Sequence, residues 1–81
     1  MTTPTKPMYW KSFGPKRLKR IRQFRDIKQL DLCKRAKISQ SMLAQIESGV
    51  STPSVDTLFD LLAALKVEPE TFFRRDLTWT I

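Results

Sequence analysis

Apolar positions along the chain fall into five stretches with helical spacing and one with strand spacing. Leu18, Ile21 and Phe24 recur every three residues among Lys16, Arg17, Lys19, Arg20 and Arg25, which predicts an amphipathic helix. Proline suits a first helical position, so this helix is expected from near Pro15 to near Asp26. A second, shorter helix is expected over Gln29–Ala36, with Leu32, Cys33 and Ala36 on its apolar face. Ser39 is a good N-cap for a third helix that buries Leu43 and Ile46 and reaches Ser48. Gly49 stops it, because glycine enters the left-handed region without a Cβ penalty. Ser54 caps a fourth helix whose Val55, Leu58, Leu61, Leu62 and Leu65 form one stripe, and Pro69 opens a last short helix through Phe72 and Phe73.

The two ends read differently. "MTTPTKP" is polar with two prolines, and residues 1–14 are expected to be a flexible arm. Tyr9, Trp10 and Phe13 have two readings: packing back on the core, or a minor-groove arm flanked by Lys6 and Lys11. At the other end, Leu77, Trp79 and Ile81 alternate with Thr78 and Thr80, which is strand periodicity. A lone strand is not stable in water, so residues 75–81 are expected either to pair with a second chain or to fray. The resulting fold class is all-α, with five helices over residues 15–74 and, as an option, a short C-terminal dimerising strand.

Composition narrows the chemistry. Eighty-one residues with 41% apolar content can form one small domain. A single cysteine cannot form an intramolecular disulfide, and the absence of histidine excludes a histidine-based catalytic group or zinc site. No apolar run approaches the roughly 20 residues that span a bilayer, and the first twelve residues lack a signal-peptide core, so a cytoplasmic protein without cofactor or metal is expected. Charge is segregated. Residues 1–37 hold twelve Lys and Arg against two Asp, about +10, whereas residues 38–81 hold three against six, about −3. A polyanionic partner is indicated, nucleic acid ahead of membrane. From Ile38 to Leu65 there is no lysine or arginine at all.

Two short helices separated by a tight turn have the form of a helix-turn-helix, whose second helix enters the major groove. The segment "QLDLCKRAKISQSMLAQIESGVSTPSVDTLFDLLAALKVEPETFF" resembles the XRE family of phage repressor and Cro-like helix-turn-helix domains. Gln29, Leu32, Ser39, Leu43, Ile46, Glu47, Gly49, Pro53, Ser54, Thr57, Leu58, Leu65 and Val67 stand in the family's register, and the likeness covers about residues 16–73. Two positions depart from the pattern. Cys33 stands where a small alanine is usual, and Lys37 stands where the turn usually has glycine. If the backbone at Lys37 is left-handed, lysine there costs on the order of 1 kcal/mol.

The resemblance gives the uncharged middle of the chain a purpose. Phosphates are alike at every base pair, so cations add affinity without sequence information, whereas base edges need neutral donors and acceptors. Gln40, Ser41, Ala44 and Gln45 share the outward side of the third helix. The resemblance implies base contacts at Gln40, Ser41 and Gln45, with Ala44 beside them. It implies that Gln29 bonds a phosphate and braces Gln40, with Lys28 as a second anchor. Ser39, Ser51, Thr52 and Arg22 complete the candidate phosphate set. It also implies an ion pair between Arg22 and Glu47 that locks the third helix to the first. Arg17, Arg20 and Lys37 are weaker phosphate candidates, and Met42 belongs either near the DNA backbone or at the core's edge.

The expected function is therefore a sequence-specific transcriptional regulator, a homodimeric repressor reading a palindromic operator in double-stranded DNA. Phe72, Leu77, Trp79 and Ile81 are candidate dimer contacts. An antitoxin that binds both operator DNA and a toxin protein is the alternative. An enzyme is disfavoured, since no carboxylate pair converges with a nucleophile.

Overall fold

The computed structural model describes residues 10–74, where five helices follow in order: α1 (Trp10–Phe24), α2 (Gln29–Ala36), α3 (Gln40–Ser48), α4 (Val55–Leu65) and α5 (Pro69–Phe72). No strand occurs among the described residues. The first nine residues of the expected arm, and the expected strand with Leu77, Trp79 and Ile81, lie outside them.

Helices α3 and α4 begin where local chemistry places them. The Met42 N–H donates to Ser39 Oγ at 3.0 Å, and the Thr57 N–H donates to Ser54 Oγ at 3.1 Å, so both serines cap. Four helix ends share one device, a left-handed residue followed by a β-branched apolar residue whose N–H reaches back five positions. The pairs are Asp26–Ile27, Lys37–Ile38, Gly49–Val50 and Lys66–Val67, with return bonds of 3.0, 3.1, 2.9 and 2.9 Å. Only one of the four left-handed residues is glycine. Lys37, at φ 60° and ψ 45°, has the strained conformation expected of a lysine in glycine's place.

The start of α1 departs from expectation. The helix begins at Trp10 rather than near Pro15 and carries Pro15 inside it. An interior proline removes one backbone bond and crowds the preceding turn, a cost of about 3 kcal/mol or more. Aromatic packing offsets it. Trp10 stacks on Phe72 with centroids 6.1 Å apart, and Phe13 lies 6.1 Å from Phe72 and 5.8 Å from Phe73. Trp10 and Phe13 also meet edge to face at 6.3 Å. Four ring pairs at about 0.5–1.5 kcal/mol each supply about 2–6 kcal/mol, of the same order as the proline's cost, beyond the area they bury. Of the two readings of these aromatics, Trp10 and Phe13 take the core-packing one. Gly14 makes room for it, since a Cβ there would lie 2.2 Å from the indole ring of Trp10.

This cluster also corrects Phe72. Expected at a dimer contact, it is fully buried under Trp10, Phe13 and Phe73, where no second chain can reach it. The core beneath is built from Leu18, Ile21, Leu32, Leu43, Ile46, Leu61, Leu62 and Leu65. Within it α2 lies against both α3 and α4, while α1 packs along α3. Two expected apolar positions fall outside: Phe24 ends α1 at 64% exposure, and Val55 opens α4 at 66%. Both sit in terminal turns, where the stripe has already rotated past the core.

Candidate nucleic-acid interface

The short turn from Lys37 to Ser39 sets α3 across the end of α2, and the Ser39 cap fixes where α3 starts. Leu43, Ile46 and Glu47 face inward, whereas Gln40, Ser41, Ala44 and Gln45 are all exposed. The result is an uncharged outward side with two amides and a hydroxyl. Met42 is 45% exposed on the same helix.

Three helices are tied together behind it. Arg22 Nε donates to Glu47 Oε2 at 2.7 Å and Nη2 donates to Glu47 Oε1 at 3.1 Å, a bidentate pair with both residues buried. Arg22 Nη1 donates to the Ile27 carbonyl at 2.9 Å, fixing the α1–α2 turn as well. The Gln29 amide donates to Glu47 Oε1 at 2.9 Å. Thus α1, the start of α2 and the end of α3 converge on one carboxylate. The expected Arg22–Glu47 pair is present. Gln29, however, braces Glu47 rather than Gln40, because the carboxylate is the stronger acceptor within its reach. Three of Arg22's N–H groups point inward, so its visible work is structural.

The loop after α3 is equally ordered. The carbonyl of Gln45 accepts from the N–H groups of Val50 and Ser51 at 2.9 and 3.1 Å and from the Ser48 hydroxyl at 3.1 Å. The Ser51 hydroxyl donates to Gln45 Oε1 at 2.9 Å. Ser51, a phosphate candidate by sequence, therefore holds a base-reading candidate in position. Thr52 is exposed and borders a cleft of about 570 Å³ whose other wall is Trp10, Lys11 and Ser12 of α1. That neighbour had no local signal in the sequence, since it depends on α1 extending back to Trp10.

Other cations sort clearly. Lys28, at the N-cap of α2, and Lys37, in the turn before α3, are both exposed. Arg17 is engaged at the other end of the chain: its Nη1 donates to the carbonyls of Phe72 and Arg74 at 2.6 and 2.5 Å, and its guanidinium lies 5.0 Å from the Phe13 ring centre. It closes the end of α5 instead. Cys33 is buried, and burial pushes its thiol above the ordinary range, so it is a protonated packing group. No group of side chains that could hold a metal ion occurs among the described residues. Nor is any helix there long and apolar enough to cross a membrane.

Comparison with known protein families matches residues 18–72 to the helix-turn-helix family, of the XRE and Cro-like kind. No curated protein and no solved structure matches the chain.

Proposed function

Because this chain belongs to the helix-turn-helix family, whose domains bind DNA and are typically not enzymes, we propose that it is a sequence-specific transcriptional repressor acting as a homodimer. The observation that carries this reading is the neutral, exposed side of α3 backed by a buried three-helix clamp on Glu47. Glutamine can pair bidentately with adenine N6 and N7, serine bonds several base edges, and the Ala44 methyl suits a thymine methyl. Gln40, Ser41 and Gln45 are the proposed readers, with Ala44 beside them. Lys28, Gln29, Ser39 and Thr52 are the proposed phosphate contacts, and Arg22 and Ser51 hold readers or helices in place.

One such helix spans few base pairs. Two half-sites about one helical turn apart, roughly 34 Å, would supply the remaining specificity. The exposed row Val55, Phe59 and Ala63 on α4, beside a cleft of about 470 Å³ reaching Pro69, supports a protein contact at that end. The test is selection of bound sequences from random duplex DNA at fixed salt. An enriched inverted repeat, lost with Gln40→Ala and Gln45→Ala, supports the proposal. Equal binding to all sequences would refute it.

A further inference from the structure

Residues 38–65 contain no cation, yet they include the reading helix and the loop that follows it. A duplex seated on α3 would therefore meet no cation from the loop that follows it, an uncompensated flank for a polyanion. The fold supplies a charge from elsewhere. Pro15 of α1 sits beside Gly49, since a Cβ on Gly49 would lie 3.8 Å from its Cγ. Lys11 precedes Pro15 by four residues and so occupies the same face of α1, one turn nearer the helix start. That places it across the Thr52 cleft, with Lys11 and Thr52 lining opposite walls. Lys11 is exposed, and among the described residues no hydrogen bond or ion pair engages its ammonium.

We propose that Lys11 is the phosphate anchor for the loop flank of the reading helix, acting together with Thr52. The unusual extension of α1 back to Trp10, secured by the aromatic cluster, is what carries this cation to the interface. The proposal rests on the DNA-binding reading above. It adds a contact that α3 and its loop lack, and it assigns a role in grip, not in sequence choice.

The test uses the full chain and a 24-base-pair duplex of mixed sequence, with affinity measured from 50 to 200 mM KCl. Each phosphate contact contributes about 0.9 to the slope of log affinity against log salt. Lys11→Gln is expected to flatten the slope by about 0.9, so that the wild-type advantage shrinks roughly three- to fourfold across this range. Lys11→Arg should restore the slope. Lys66→Gln, at the far end of α4, should leave it unchanged. Thermal midpoints should agree among all of them, since both lysines are exposed. A wild-type slope in Lys11→Gln, or an equal drop in Lys66→Gln, overturns the assignment while DNA binding stands. A wild-type chain with no salt-dependent affinity for the duplex overturns the DNA reading and this anchor together.

Discussion

Truncating Glu47 to alanine tests the clamp behind α3. The carboxylate accepts from Arg22 Nε and Nη2 and from the Gln29 amide, and it is buried with its arginine. Removing it strands a buried guanidinium and an amide without acceptors, which costs about 3–5 kcal/mol for pairs of this kind. A domain of this size has a total stability of about 4–12 kcal/mol. The substitution should therefore remove a quarter or more of it and lower Tm by roughly 12–40 °C. Replacing both partners with apolar residues, Arg22→Met with Glu47→Leu, should recover most of the loss, because the desolvation cost disappears along with the attraction. Urea denaturation of wild type, both single variants and the double variant measures this directly. Among the molecules that remain folded, the ratio of operator to non-operator affinity should stay near wild type, since Glu47 does not reach the surface. A Glu47→Ala variant of normal stability but altered sequence choice would refute the reasoning.

Three further outcomes follow from the same geometry. Lys37→Gly should raise Tm by about 2–8 °C, as relief of the left-handed strain, about 1–2 kcal/mol, exceeds glycine's entropy cost of about 0.4–1 kcal/mol. An unchanged or lower calorimetric midpoint would contradict it. Ser51→Ala should leave Tm within a degree or two but blur base preference at the position proposed for Gln45, which loses its 2.9 Å tether; selection from random duplexes would show the change. For Cys33, burial raises the folded-state thiol pKa above its unfolded value, so its contribution is complete below the unfolded thiol pKa, about 8.5, and falls as pH rises beyond it. The stability difference between wild type and Cys33→Ala should therefore narrow from pH 8 to pH 10 in urea titrations, and a constant difference would argue against a protonated, buried thiol.

The parts of the fold legible in the sequence are those decided locally. Ser39, Ser54 and Gly49 act through their own or adjacent backbone, and the three- and four-residue spacing of Leu43, Ile46, Leu58, Leu61, Leu62 and Leu65 needs no distant partner. Lys37 was readable because the family pattern places glycine there. The same helix-end device at Asp26 and Lys66 was less visible, as neither residue advertises a left-handed backbone; the following Ile27 and Val67 were the usable clue. What stayed hidden depends on contacts across the chain. The first turn of α1 forms because Trp10 and Phe13 meet Phe72 and Phe73, and no local pattern carries that information. The same contact buries Phe72, redirects Arg17 to the end of α5 and delivers Lys11 to Thr52. In the interface, the outward side of α3 was readable from period alone, whereas the partners of Gln29 and Ser51 depended on which acceptors the folded chain brought within reach.

The central claim is that the exposed side of α3 lies against base edges. The chain has no asparagine and four glutamines, so its side-chain amide spectrum contains only Gln23, Gln29, Gln40 and Gln45. Titrating nitrogen-15-labelled protein with its selected duplex should shift the side-chain amide signals of Gln40 and Gln45 strongly, while Gln23, exposed near the end of α1, stays in place. Unmoved Gln40 and Gln45 signals at saturating duplex, with shifts confined to other surfaces, would contradict the account.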